Sequence, residues 1–427
     1  MRDKSSVKNA LRLLSFSLMV NSVSTMSYAL TIEDAWQATK QYDPAYLQSQ
    51  LDEKISETEI RSSRSALLPS AEITAGSTWN EGSDNTNNYG IRLNQTIWDS
   101  SKWSVLDQSQ ASLLASQLKV KQSHNELAER LINAYLDLAQ SQGDLRLAQQ
   151  KFDEGTKMLR IIELRYKAGK IQSVELEDMR SNHLDEEAEI LASRSRVEDK
   201  KASLIGLINM EPTQVDEIKT TNLSPPKLIV NSKQEWLKLA SNHSPELLAA
   251  KQSIRIAELE TEQAKTGYYP TITGSVGYSD STHSDDELNA NLNLSLPLDL
   301  NGSTAASVDR AKLKVHRARQ DVRAVEIGIK STISNRYTQL SLNWQRVEMA
   351  EKQVASRELV LKSKQAIYKA GMAEASDVID AHNRLFSSKN TLQSLLYQYW
   401  QYRISLLKSV GKLDNETIAL ISQALQS

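Results

Sequence analysis

The strongest constraint on this chain is that it is written twice. Asp43-Pro44-Ala45-Tyr46-Leu47 returns as Ser244-Pro245-Glu246-Leu247-Leu248, and Leu67-Leu68-Pro69 returns as Tyr268-Tyr269-Pro270, with both prolines offset by 201. Asn133-Ala134-Tyr135-Leu136-Asp137-Leu138 matches Asn335-Arg336-Tyr337-Thr338-Gln339-Leu340, and Arg165-Tyr166-Lys167-Ala168-Gly169 matches Ile367-Tyr368-Lys369-Ala370-Gly371, both offset by 202. Matches in one order at a near-constant offset define a long internal repeat, which decides architecture before local detail does. Each copy carries the same parts. A helix ends before the proline (about 44–68, then 245–268), and a pair of short strands follows. A very long helical stretch comes next (about 101–166, then 303–369). A Tyr-Lys-Ala-Gly turn then reverses the chain into a return helix (about 173–208, then 376–410).

The expected organisation is a first repeat over 30–219 with a β-hairpin near 70–98, a linker over 220–233 containing Pro225-Pro226, a second repeat over 234–413 with a hairpin near 270–298, and a tail over 414–427. Residues 1–29 read as a signal peptide. Arg2, Lys4, Lys8 and Arg12 precede the apolar run Leu13–Val23, and Ser27-Tyr28-Ala29 fits a small-x-small cleavage site. No other stretch is apolar for long enough to make a transmembrane helix. There is no cysteine, which rules out disulfides, thiol catalysis and a lipid-modified N-terminal cysteine.

Glycine (14) and proline (8) are sparse across 427 residues, so long stretches lack punctuation. The long helices carry 3-4 spaced seams: Val120, Leu127, Leu131, Ala134, Leu138, Leu145, Ala148 and Phe152 in the first copy, and Val308, Ala311, Val315, Ala318, Val322, Val325 and Ile329 in the second. That spacing winds helices around one another. Roughly 65 residues at about 1.5 Å each reach roughly 100 Å. The seams alone also suit a plain antiparallel coiled-coil rod.

The strands point elsewhere. Leu288, Ala290, Leu292, Leu294, Leu296 and Leu298 alternate with Asn289, Asn291, Asn293 and Ser295. Tyr89, Ile91, Leu93 and Ile97 alternate with Gly90, Arg92, Asn94 and Thr96. Period two with one greasy and one wet face, over about ten residues, suits tilted transmembrane strands. Trp79, Tyr89, Trp98, Trp103, Tyr268, Tyr269 and Tyr278 sit near the strand ends, where aromatic girdles occur. The polar stretches Asn80–Asn88 and Ser279–Glu287 are the expected loops. Two soluble hairpins lying on a core would alternate in the same way. Four strands cannot close a barrel, and an open edge in lipid leaves backbone groups unpaired. Strands that span a membrane therefore require several chains in one barrel, related by rotational symmetry.

At this point the chain resembles the TolC family of outer-membrane efflux and type I secretion channels, over essentially its whole length beyond the signal. The most specific match is Leu93-Asn94-Gln95-Thr96-Ile97-Trp98-Asp99-Ser100-Ser101-Lys102-Trp103, where a strand leads into a long helix. Leu296-Pro297-Leu298 with Asn301-Gly302, Asp377-Val378-Ile379-Asp380-Ala381, and Leu406-Leu407-Lys408-Ser409-Val410-Gly411 are similar to the family's later landmarks. The resemblance implies an α+β membrane protein: a homotrimer with a twelve-stranded barrel in the outer membrane, four strands from each chain, continued by a long periplasmic helical barrel. It also implies a periplasmic adaptor and an inner-membrane ABC or proton-driven pump as partners.

For site residues, it implies that Asp377 and Asp380, three apart and so on one helix face, form acidic rings at the periplasmic entrance, with crowding raising some of their pKa values. Tyr368 and Glu175 match a latch that holds the entrance closed. Ala373 stands where a close relative carries arginine, so one salt-bridge donor is missing from that latch. Gly169 and Gly371 end the long helices at the tip turns that meet the adaptor.

Other chemistry finds no support. The histidines (His124, His183, His243, His283, His316, His382) lack metal-ligand spacing, no Walker or dinucleotide loop is present, and no nucleophile motif occurs, so neither catalysis nor a cofactor is expected. The net charge is −2, and with +3 in residues 1–29 the remainder carries −2 − 3 = −5. Without a basic stripe, nucleic acid is not an expected partner. The competing reading is a periplasmic coiled-coil adaptor, which would carry one coiled-coil hairpin and a lipoyl-like domain rather than two copies with four alternating strands.

Overall fold

The computed structural model describes residues 30–79, 81, 85–220, 223–282 and 284–426. The signal segment 1–29 and His283 lie outside them. In the first repeat, α1 (Ile32–Tyr42) and α2 (Pro44–Ser65) lead into β1 (Ser70–Thr78) and β2 (Thr86–Asp99), then the long α3 (Ser100–Lys167) and the return helix α4 (Ser173–Ile208). The second repeat has α5 (Lys233–His243), α6 (Pro245–Lys265), a 3-10 turn, β3 (Thr271–Ser281), β4 (Ser284–Ser295), α7 (Ser303–Lys369) and α8 (Ala375–Ser409), and α9 (Asn415–Gln426) follows.

The repeated sequence signals are repeated caps. Asp43 Oδ1 accepts from Tyr46 N–H at 2.8 Å, and Ser244 Oγ accepts from Leu247 N–H at 3.5 Å. The prolines beside them occupy the first helical turn, where a missing N–H is harmless. Asp99 turns strand into helix by accepting from Ser101 N–H at 2.9 Å. The helices α3 and α7 run for 68 and 67 residues, which is about 100 Å each.

The strands form one antiparallel sheet in the order β1-β2-β3-β4. Its register gathers the two faces. Ile73, Ile91, Tyr278 and Leu288 line up across all four strands, as do Ala71, Leu93, Val276 and Ala290; the alternate rows are Glu72, Arg92, Gly277, Asn289 and Ser70, Asn94, Ser275, Asn291. Among the described residues nothing covers the apolar face: Ile73 is 80% and Leu288 75% exposed. Nor does any described strand pair with the outer edges of β1 and β4. A bulge between Thr96 and Trp98 resets the register just before α3.

Three expectations need correction. The stretches read as loops are partly strand: β2 begins at Thr86, β3 runs to Ser281 and β4 begins at Ser284, and Glu287 pairs with Ser279 while an irregularity in the register falls at Asp285 and Asp286. At its other end β4 stops at Ser295, short of Leu298 and just before Pro297, which has no N–H for the ladder. The segment read as a tail is the helix α9, held by a 2.9 Å hydrogen bond from Trp36 Nε1 to Asn415 Oδ1.

The seams mark only part of the core. Leu127, Leu131 and Leu138 are buried as expected, but so are Ala128, Ile132, Tyr135, Leu136 and Ala139. There α3 is packed over most of its circumference by α1, α8 and an extended strap that joins the repeats. The strap, described over 210–220 and 223–232, extends beyond the linker read from its prolines. Buried side chains tie it down. Tyr135 Oη donates to Leu30 O at 2.7 Å and accepts from Asp216 N–H at 3.0 Å, Tyr397 Oη accepts from Ile218 N–H at 3.3 Å, and Arg403 Nη2 donates to Lys227 O at 2.8 Å.

Among the described residues, no helix is long and apolar enough to cross a membrane.

Candidate functional site at the helical tip

Both hairpins reverse in the same way. After α3, Gly169 N–H donates to Tyr166 O at 2.9 Å and Lys170 N–H to Arg165 O at 3.0 Å; after α7, Gly371 N–H donates to Tyr368 O at 2.9 Å and Met372 N–H to Ile367 O at 3.1 Å. This is the Schellman pattern, which needs a left-handed residue at its second position, and Gly169 (φ +66°) and Gly371 (φ +78°) supply it. Beneath the turns Met158, Ile162, Leu176, Met179, Leu361 and Leu385 form an apolar cluster joining the two hairpins.

The acidic pair lies in the first two turns of α8. Asp377 takes a 2.7 Å ion pair from Lys364 of α7, and Asp380 takes a 2.8 Å bond from Arg384 one turn on. Within the protomer the Lys364 ammonium holds the Asp377 carboxyl below its usual range. Both cations lie outside the acidic pair's own turn, Lys364 on the neighbouring helix and Arg384 one turn on.

The two latch residues lie close together but do not bond to each other. Glu175 closes a capping box by accepting from Gln172 N–H at 3.5 Å, and it also accepts from Ala375 N–H of α8 at 3.2 Å. One carboxylate thus ties the starts of both return helices. Tyr368 is buried, and its hydroxyl has no hydrogen-bond partner. The Arg165 guanidinium lies over its ring, 4.3 Å from the centroid, while Arg165 Nη2 donates to Lys369 O at 2.8 Å. Burial raises the Tyr368 pKa, and the Arg165 charge opposes that. Arg165 thus supplies a cation within the protomer, close to the turn that ends α7.

Sequence reasoning missed a buried polar cluster three turns above. Glu186 of α4 has a fully buried side chain, with Asn182 Nδ2 donating to it at 2.9 Å. His183 Nδ1 and His382 Nδ1 approach its two oxygens at 3.5 and 3.6 Å, and Asn383 Nδ2 donates to Asn182 Oδ1 at 2.8 Å. Burial pushes the Glu186 carboxyl up, but His382, Lys151 and Asn182 outweigh it, and the net shift is downward. The carboxylate fits only because residue 155 of α3 is glycine: a Cβ there would overlap it. A glycine inside a long helix, and Asn182 recurring as Asn383, were the available signals. No group of three acidic or histidine side chains among the described residues is placed to hold a metal.

A two-faced sheet running into paired helical hairpins is shared with known proteins. A family model described as outer membrane efflux protein matches residues 35–210 and 236–412. Outer membrane protein TolC of Salmonella enteritidis is 22% identical over 440 residues, covering 96% of this chain and 87% of that one. The alkaline protease secretion protein AprF of Pseudomonas aeruginosa is 22% identical over 429 residues, covering 93% and 87%. The open state of the Neisseria gonorrhoeae MtrE outer membrane channel has the same fold, with a TM-score of 0.77 at 17% identity over 90% of each chain. The two matched segments fall on the two repeats and leave out the strap between them, and on that agreement the chain belongs to the outer membrane efflux protein family.

Proposed function

We propose that this outer-membrane channel protein is the exit duct of a tripartite export system. Three protomers each lend four strands to one twelve-stranded barrel, with the apolar face toward lipid and the polar rows toward the lumen, and the α3/α4 and α7/α8 hairpins continue the bore into the periplasm. The observation that carries this reading is the sheet: its rows are sorted by polarity across all four strands, its apolar face is bare, and its outer strands have unpaired edges. In lipid such a sheet must close on other copies. A periplasmic adaptor has no use for it.

A periplasmic adaptor docks at the Gly169 and Gly371 turns, and an inner-membrane ABC or proton-driven pump supplies the energy. Small molecules or unfolded proteins pass through. The names of the relatives, an outer membrane protein and a protease secretion protein, fit either cargo.

At the entrance, three copies of Asp377 and Asp380 make two stacked carboxylate rings, each carboxylate braced by Lys364 or Arg384. Rings of this kind attract cations, and a multivalent cation competes with the bracing side chains. Glu175 acts as the tie between hairpins, with Tyr368 packed behind it.

Outer-membrane fractionation, with planar-bilayer recording of the mature chain, tests the reading. We expect small discrete conductances that a millimolar trivalent cation blocks, and no block in Asp377→Ala/Asp380→Ala. Equal block in both would remove the acidic rings and keep the duct. A folded oligomer that stays in the periplasmic fraction and never conducts would overturn the duct.

A further inference from the structure

The buried cluster around Glu186 lies where the two hairpins meet, and one of its rings spans the join. His382 of α8, only 1% exposed, turns each ring nitrogen toward a different carboxylate. Nδ1 lies 3.6 Å from Glu186 Oε1 of α4, and Nε2 lies 3.5 Å from Glu154 Oε2 of α3. Both carboxylates belong to the first hairpin and the ring to the second. The ring sits about 10 Å along α8 from Ala375, where the Glu175 tie ends.

A neutral imidazole has one N–H and one lone pair. Whichever nitrogen of His382 holds the hydrogen, the other faces an oxygen that also only accepts. Nε2 is buried and has no hydrogen-bond partner. An imidazolium has two N–H groups and meets both carboxylates. A buried charge is tolerated when it is paired, and this one is paired on two sides. Glu186 stays available as a carboxylate because its net shift is downward.

His183 is the internal contrast. Its Nδ1 lies 3.5 Å from Glu186 Oε2, and its Nε2 lies 3.5 Å from Thr156 Oγ1. A hydroxyl donates as well as accepts, so neutral His183 suits both neighbours, and both belong to its own hairpin. The other charges nearby do not join the bridge. Lys151 of α3 acts on Glu186 and shares a polar groove with Asp185 and Glu189 of α4. Lys157 of α3 and Lys362 of α7 line a groove with Glu154, as does Glu358, which pairs with Lys389 at 3.2 Å. Among the described residues none of these forms an ion pair with His382.

We propose that His382 is a proton-operated clamp between the hairpins: protonated, it ties α8 to α3 and α4 together, and neutral, it holds one of them. The docked hairpins then bind that proton more readily than parted ones, so lowering the pH tightens docking and raising it loosens docking. Reading the clamp as current rests on the duct reading; the clamp itself does not.

Planar-bilayer recording between about pH 8 and about pH 6 is the test. Single-channel conductance of the unmodified oligomer should fall about threefold as the pH falls, the factor given by roughly half a unit of preferential proton binding. His382→Gln keeps a donor for Glu186 and cannot titrate, so it should abolish the dependence. His183→Gln should retain it. Glu154→Gln puts an amide donor opposite neutral Nε2, and conductance should stay low at both pH values. Asp377, held below its usual range, stays ionised throughout. No pH dependence in the unmodified protein, or a dependence that survives His382→Gln or Glu154→Gln, overturns the clamp. Thermal unfolding of the oligomer reads the same joint without current. There Glu154→Gln should raise the midpoint at the higher pH and not at the lower, and an equal shift at both overturns the proposal. If the oligomer never conducts, the duct reading fails and the unfolding comparison alone decides the clamp. If His382→Gln does not assemble, Glu154→Gln, at a side chain 46% exposed, decides it.

Discussion

The two hairpins share a sequence pattern, a length and a turn, yet their side chains are wired differently. Glu175 and Asp377 hold the same third position of their return helices, 202 residues apart. Glu175 reaches over to the other hairpin's backbone, whereas Asp377 stays within its own and pairs with Lys364. Tyr166 is 43% exposed, while its counterpart Tyr368 is buried. Gly155 makes room for Glu186, and its counterpart is Arg357. The first hairpin's polar groups thus grip the second, whereas the second hairpin's acids Asp377 and Asp380 pair with cations of their own hairpin. Duplication fixes the backbone, and the function lies in the divergence of matched positions.

The sharpest way to break this comparison is at Gly155. Gly155→Ala should cost about 2–4 kcal/mol, because the new methyl group displaces a buried carboxylate from its partners. Arg357→Ala, at the matched position, should stay within about 0.5 kcal/mol. Thermal unfolding of the purified oligomer reads both, and equal losses would erase the asymmetry.

Next is the tie itself. Glu175→Ala should remove about 1–2 kcal/mol of hairpin docking and raise single-channel conductance severalfold. Tyr368→Phe, which deletes a hydroxyl with no partner, should leave conductance unchanged. A larger effect from Tyr368→Phe would return the latch to the hydroxyl.

A third comparison is Asp144 of α3, which accepts from Gln393 Nε2 of α8 at 2.9 Å and whose matched residue is Arg346. Burial raises the Asp144 carboxyl from 3.8 to about 6, against the pull of Arg196. The native state therefore holds a proton that the unfolded chain has released, and stability falls as pH rises from about 4 to about 6. After allowance for solvent the loss is roughly 1–2 kcal/mol. Asp144→Asn should flatten that slope in denaturation curves and gain stability at neutral pH.

The smallest expected difference is between Gly169→Ala and Gly371→Ala. Each should cost about 1 kcal/mol of left-handed strain, since a Cβ meets nothing at either site. Export should suffer more than expression when either turn is made bulky.

Backbone-level features were legible because they rest on periodicity and punctuation. The long helices, the turns at Gly169 and Gly371 and the alternating strands all follow from residues near in sequence. The strap, the helix α9 and the wide burial of α3 depend on partners far along the chain, such as Tyr135 with Asp216 or Trp36 with Asn415, and no window of the sequence contains both. At the tip the residue types were readable and their partners were not: Asp377 could be placed on a helix face, but Lys364 lies on another helix.

The unpaired edges of β1 and β4 have a consequence for biogenesis. A lone protomer cannot enter the bilayer without stranding two rows of backbone donors and acceptors, so association must precede or accompany insertion. In a three-protomer barrel the rate of maturation then climbs steeply with the local concentration of unassembled chains, and a cell making too little would accumulate soluble intermediates instead of a proportionate number of pores.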